Sequence, residues 1–274
     1  MHPLVANVYR ASRGTTLRAL LRGLALPFRA ARFLLSHRPL WPFAIAPVLI
    51  HGALLAGAAV FVLAYADAAA AWIWAPPSGT TLWSAALLAL WYVLYLLVLA
   101  FGLVTAYATT LLVSGVVASP FNDVLSARAE ALLRSDGPAP AGERPLWREA
   151  LYSLRSTALV LALYLALMGP VLLLNVVPGL GSMAATGLGT GVSAFFLTLE
   201  FADITLARYG YRLRQKLRLL RAHPGLTAGF GLSTSLLLWI PVLNLLCVPI
   251  AVVGGTALAL ALIHDSEPPR TGTE

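Results

Sequence analysis

STALVLALYLALMGPVLLLNVVPGLGSMAATGLGTGVSAFFLTL, residues 156–199, and AHPGLTAGFGLSTSLLLWIPVLNLLCVPIAVVGGTALALALIH, residues 222–264, decide the class of this chain. Neither contains Asp, Glu, Lys or Arg, and each is broken near its middle by a proline turn that is itself apolar. Val177-Pro178-Gly179-Leu180-Gly181 begins 63 positions before Ile240-Pro241-Val242-Leu243-Asn244, and the same offset relates Gly191 to Gly254. A turn facing water carries Asp, Asn, Ser or Lys as well as Gly and Pro. Here Leu, Val and Ile flank both turns, and only Asn175 and Asn244 are at hand to serve freed backbone groups. The pattern predicts a repeated helix–turn–helix hairpin whose tip is buried in or just across a bilayer. Pro178, Gly179, Gly181, Pro241 and Asn244 form the structural tips.

Composition points the same way. Hydrophobic residues make up 59% of the 274 positions and charged residues 11%, and the mean hydropathy is +0.81. These values lie outside the usual balance of a soluble domain. The single cysteine, Cys247, sits in an apolar run and reads as a small packing residue. The expected architecture is an all-α integral membrane protein, organised as a basic interfacial segment over 1–38, one membrane domain over 39–264 and a disordered tail over 265–274.

Basic charge sets the orientation. Residues 1–38 hold seven Arg and no acid, whereas the 67–81 loop holds Asp67 and no Lys or Arg. Segments 119–155 and 200–221 are also rich in Arg. Lys and Arg near membrane ends favour the cytoplasmic side, which puts both termini inside and 67–81 outside, with Trp72 and Trp74 in the headgroup belt. Residues 43–66 are long enough for one crossing, which takes about 20 helical residues. Residues 82–118 form a second, longer span that Ser119-Pro120 is expected to end. The hairpins cover 156–200 and 222–264. In the second, the arm 226–239 is too short to cross as a helix, which favours a re-entrant loop; at its tip, non-helical backbone must be buried in protein or line a wet cavity. That implies a neighbour, either the other hairpin or another subunit.

Residues 15–37 read as an amphipathic helix on an anionic membrane surface, bent at Pro27. Arg18, Arg22, Arg29 and Arg32 fall within about 80° on the helical wheel, with Leu17, Leu21, Leu24, Phe28 and Leu35 to one side.

Sites for covalent chemistry are scarce. The chain has no HExxH, CxxC, Walker-type GxxxxGK or GxSxG, and its five His are scattered, so no metal, cofactor or enzymatic activity is expected. The run Gly179, Gly181, Gly187, Gly189, Gly191 follows no strand and has no Lys, so close helix packing explains it better than phosphate binding. Membrane topology accounts for the +8 charge without nucleic acid. Glu200 and Asp203 share one helical face. Intramembrane carboxylates often mark ion paths, but a salt bridge to Arg208 or Arg212 is the plainer reading. Glu130 and Arg134 have i,i+4 spacing, for which a solvated pair is the default.

Taken together, Pro47, Ser119-Pro120-Phe121-Asn122, the 177–181 turn, Glu200-Phe201-Ala202-Asp203, Phe230-Gly231, Ile240-Pro241-Val242-Leu243-Asn244-Leu245, Pro249 and Gly254 resemble the CysZ-type inner-membrane proteins. That family is related to the etoposide-induced membrane proteins of eukaryotes, and the resemblance covers about 30–264. It implies two true spans, two membrane-embedded hairpins, homo-oligomers and sulfate transport across the inner membrane, with the lipid bilayer as the surrounding partner. Sulfate-transporting members carry Gly-apolar-Arg-Arg at the start of the first span, whereas this chain has Pro39-Leu40-Trp41-Pro42. Both arginines are absent and two prolines remove N–H donors. Arg38, Leu40 and Trp41, with Arg32 nearby, are the candidate anion-binding residues. Glu200, Asp203, Glu130, Arg134, Asn175 and Asn244 are candidate polar residues of a pathway. The alternative function is a non-transporting membrane scaffold or biogenesis factor of the same family.

Overall fold

The computed structural model describes residues 2–12, 14–134, 146–177, 179–239 and 241–266, apart from the side chains of 146–157 and 241–246. Every regular element among them is helical: α1 (Pro3–Ser12), α2 (Thr16–Ser36), α3 (Trp41–Ile73), α4 (Leu82–Leu133), α5 (Leu146–Leu173), α6 (Leu180–Arg208), α7 (Leu213–Ala222), α8 (Pro224–Leu238) and α9 (Pro241–Ser266). Among the described residues, five stretches are long and apolar enough to cross a membrane: Arg38–Ile73, Leu82–Leu133, Ala158–Val176, Leu180–Arg208 and Cys247–Ser266. The chain is thus an all-α multi-pass membrane protein. The 15-residue α8, at about 1.5 Å per residue, falls short of a bilayer core.

The helices group into two compact units: Met1–Ala44 with Asn122–Glu274, and Ile45–Phe121. In the first, α9 is central. Its Val252, Val253, Ala257, Leu258, Ala259, Ala261 and Leu262 are completely buried, and α1, α2, α6 and α8 pack around it. Small residues set the spacing. A Cβ on Gly23 would lie 2.6 Å from the Leu226 carbonyl oxygen, and one on Gly225 would lie 2.6 Å from that of Thr16. Lipid offers little hydrophobic drive between helices, so such close van der Waals contact carries their association.

Packing makes α2 more than a helix resting on a surface. Ala19, Gly23, Leu26, Ala30 and Phe33 are buried, while Leu17, Leu21, Phe28 and Leu35 stay exposed, ready to meet lipid. The glycine run expected to pack closely does so only in part. A Cβ on Gly181 would strike the Leu174 carbonyl, and one on Gly189 would make ordinary contact with Val171, but Gly187 and Gly191 face open space. Gly254 instead lies under the Phe230 ring, so the 63-residue repeat is not kept in packing: its second copy sits inside the unit, whereas Gly191 in the first faces out.

In the second unit, the α3 and α4 segments expose Val60, Phe61, Leu96, Leu97 and Phe101, as lipid-facing helices should. His51 Nδ1 meets Ser114 Oγ at 2.6 Å, the hydrogen-bonded structural role that suits a lone His in an apolar span.

Two boundaries differ from expectation. The first long helix continues past 66 to Ile73 through an alanine-rich run of high helix propensity, which leaves 74–81 as the connection. Ser119-Pro120 does not end the second, because α4 continues to Leu133. An internal proline costs about 3 kcal/mol, but Leu125, Ala129 and Leu133, four residues apart, are all buried beyond it. Burying a leucine is worth about 1.5–3 kcal/mol, so packing outweighs the break.

At the first hairpin tip, a 3₁₀ turn over Leu174–Val176 leads into Gly179 at φ +78°, a conformation glycine adopts without strain. Asn175 Nδ2 donates to the Leu172 carbonyl at 3.1 Å, serving a freed backbone group as its position suggested. Pro178 lies outside the described residues, as do the side chains of Pro241 and Asn244 and the tail from 267 onward; α9 itself reaches Ser266.

Candidate functional site

Because α4 continues past Pro120, it carries Asn122, Ser126 and Glu130 at four-residue intervals along one face, and Arg134 follows directly after its last residue, its N–H donating to the Glu130 carbonyl. The last turns of α6 bring Thr205 and Arg208 to that face, Tyr209 follows, and α9 adds Thr256. Glu130 is the hub. Arg208 Nη2 lies 3.0 Å from its Oε2, Arg134 Nη1 lies 3.5 Å from its Oε1, and the Tyr209 hydroxyl donates to Oε1 at 2.6 Å. Arg134 also donates to the Tyr209 oxygen. Arg208 Nη2 donates to Ser126 Oγ at 2.8 Å, and Nη1 donates to the Asp123 carbonyl at 3.3 Å. Ser126 Oγ in turn lies 2.7 Å from Thr256 Oγ1 and 3.1 Å from Thr205 Oγ1.

The Glu130 side chain is 2% exposed, against 23% for Arg134 and 24% for Arg208, so the solvated pair expected there is in fact buried at its acidic end. One carboxylate between two guanidiniums leaves a net positive charge. Among the described residues, buried Arg208 Nε and Asn122 Oδ1 have no hydrogen-bond partner. Burial, with the adjacent Glu130 carboxylate, pushes the Tyr209 phenol up to about 12, so it stays a neutral donor at physiological pH.

The other candidate residues occupy the corner between α2 and α3. Arg32 and Arg38 are exposed and Leu40 is fully buried. The Leu40 N–H donates to the His37 carbonyl at 3.0 Å, the Trp41 N–H donates to that of Arg38, and the Trp41 indole donates to that of Leu34 at 3.1 Å. With Pro39 and Pro42 lacking N–H groups, residues 39–42 present no free backbone donor. Arg128 of α4 places its guanidinium 4.2 Å over the Phe43 ring. His2 ties this corner to the end of α4: its amide donates to the Leu133 carbonyl at 3.2 Å, and its ring stands 5.0 Å from Phe33 and 6.4 Å from His37. Burial, then His37, then the N-terminal amine lower the His2 pKa.

Glu200 and Asp203 separate. Asp203 pairs with Lys216, which is fully buried, while Glu200 is exposed without a polar partner among the described residues. The expected bridges to Arg208 and Arg212 do not form. Glu130 engages Arg208, and Arg212 opens α7, where its N–H donates to Gln215 Oε1 at 2.7 Å. The sequence reading missed Ser126, Tyr209, Thr256, Lys216 and Arg128. The Asn122–Ser126–Glu130–Arg134 spacing could have revealed the polar face, but only to a reader who continued the helix through Pro120.

The chain matches the family described as "Sulfate transporter CysZ/Etoposide-induced protein 2.4" over residues 26–249. It is 30% identical to proteins named "Sulfate transporter CysZ" from Salmonella typhimurium, Salmonella enteritidis and Salmonella typhi. Each alignment runs over 220 residues, 79% of this chain and 83% of the relative. The matched region includes the Arg38 corner and the whole Glu130 hub except Thr256.

Proposed function

The chain belongs to the sulfate transporter CysZ/etoposide-induced protein 2.4 family, and from that premise we propose that it carries sulfate or a related oxyanion across the cytoplasmic (inner) membrane. The observation that carries this reading is the buried Glu130 shared by Arg208 and Arg134, a cluster in which two guanidiniums converge on one carboxylate. Guanidinium is the preferred fork for an oxyanion. The exposed Arg38 and Arg32 raise the local anion concentration at the corner. An arriving dianion then displaces the Glu130 carboxylate from one guanidinium, with the Tyr209 and Ser126 hydroxyls as neutral donors. Both termini face the cytoplasm, and the protein works as a homo-oligomer in which Gly187 and Gly191, open in the single chain, meet a neighbour.

Tracer sulfate uptake by the purified protein in lipid vesicles tests the reading. Wild type takes up sulfate, Arg208→Gln lowers the rate at least tenfold with assembly intact, and Arg38→Ala weakens a salt-sensitive binding step. Cysteines at Ser78 and Ser182 check the orientation, since only the first should label from outside. A second reading, a non-transporting scaffold of the same family, is favoured by the absence of free N–H donors at 39–42. Intact oligomers that move no sulfate, sulfite or thiosulfate would select it.

A further inference from the structure

We propose that the arginine face of α7 is a binding site for the phosphate headgroups of anionic phospholipids. The helix has two distinct sides. Lys216, Leu219 and Leu220 are buried; Lys216 pairs with Asp203 on α6, and the Thr227 hydroxyl of α8 donates to the Leu220 carbonyl at 2.9 Å. On the outer side, Arg214, Arg218 and Arg221 recur at i, i+4 and i+7, all exposed, and none has an ion pair or hydrogen bond among the described residues. They border a shallow hollow of about 480 Å³ with Leu217 and Ala222, so guanidiniums surround an apolar floor.

Three further observations select a lipid headgroup as the occupant. From Ile204 to His264 the sequence contains no Asp or Glu, and Asp265, which borders a neighbouring hollow with Arg218, has His223 Nε2 3.6 Å from its Oδ2. The helix lies between the end of α6, long and apolar enough to cross the membrane, and the start of α8, which sets the arginines at headgroup depth. Leu217 is only half buried and can meet acyl carbon below the phosphate. Docking to tertiary partners on the other side fixes the helix backbone and so the side from which the three arginines project, and the planar guanidinium fork loses little rotamer freedom per hydrogen bond formed. A basic residue at an anionic bilayer surface gains about 1 kcal/mol, roughly fivefold in retention for each arginine.

The test compares two variants of the full-length protein with equal loss of charge, R214Q/R218Q on α7 and R10Q/R22Q, whose guanidiniums already donate within the protein, Arg10 to the Ala6 carbonyl and Asn7 Oδ1 and Arg22 to the Asn7 carbonyl. Native mass spectrometry, from detergent holding equal parts phosphatidylglycerol and phosphatidylcholine, reads the retained lipid. Wild type should prefer phosphatidylglycerol; R214Q/R218Q should lose that preference at least tenfold, and R10Q/R22Q less than twofold. If the α7 pair elutes abnormally, R218Q alone should show about a fivefold loss. Equal loss in both pairs, or no preference in wild type, overturns the proposal. Displacement of the lipid by millimolar inorganic phosphate reassigns the face to a free oxyanion and overturns it too.

Discussion

Replacing Glu130 with Gln removes the charge shared by Arg208 and Arg134 while keeping the side chain's shape. Leaving one partner of a buried ion pair alone costs about 3–5 kcal/mol. Here both guanidiniums are roughly a quarter exposed and can recover some hydration, so about 2–3 kcal/mol is expected. The two pairs should contribute unequally. Arg208 meets Glu130 at 3.0 Å from another helix, for which a double-mutant cycle should give a coupling of about 1–2 kcal/mol. Arg134 lies at 3.5 Å with i,i+4 spacing, a geometry usually worth about 0.2–0.5 kcal/mol. Unfolding in mixed micelles titrated with sodium dodecyl sulfate, on Glu130→Gln, Arg208→Gln, Arg134→Gln and the two doubles, gives both couplings. A coupling to Arg208 below about 0.5 kcal/mol, or one no larger than that to Arg134, would refute the hub as the organiser of this end of the protein.

Gly229→Val should destabilise by about 1–3 kcal/mol, because a Cβ there would sit 2.9 Å from the Leu24 nitrogen and 3.0 Å from the Gly23 Cα; Gly187→Ala, with open space, should leave the single chain unchanged, and equal effects would remove the close-packing argument. Asp203→Asn strands the buried Lys216 and should cost about 3 kcal/mol, whereas Lys216→Met leaves only the part-exposed Asp203 and should be close to neutral; the reverse order by the same unfolding assay would show that the pair is not arranged as described. Tyr209 has its ordinary value of 10.0 when unfolded and about 12 when folded, so its contribution is complete below pH 10 and is lost as pH rises toward 12. Tyr209→Phe should abolish that part of the alkaline loss, and an unchanged pH profile would contradict the shift.

The membrane class and the hairpins could be read from the uncharged runs and their turns, because a bilayer demands a hydrophobic length and penalises charge. Asn175 served its predicted backbone group for the same reason: a tip without water must supply its own donors. Pro120 shows where local reading fails. Proline propensity is visible in a sequence, but the burial of Leu125, Ala129 and Leu133 that offsets it exists only in the tertiary core they join. The Glu130 hub was hidden by the same error, since its four-residue face exists only if α4 continues. Glu200 and Asp203 were legible as a pair on one face, but not the choice between Arg208 and Lys216, which depends on how α6 and α7 fold back on one another.

The groove that holds α2 has a consequence for synthesis. Its partner α8 begins about 190 residues after α2 ends, so at about 5–20 residues per second the ribosome exposes Gly23 and its neighbours roughly 10–40 seconds before their counterpart exists. During that interval the exposed Leu17, Leu21 and Phe28 give the early helix a hold on the lipid surface, leaving its small-residue side free until the last helices arrive. The order in which the chain is made thus assigns one helix two successive neighbours, and its two apolar faces meet both requirements.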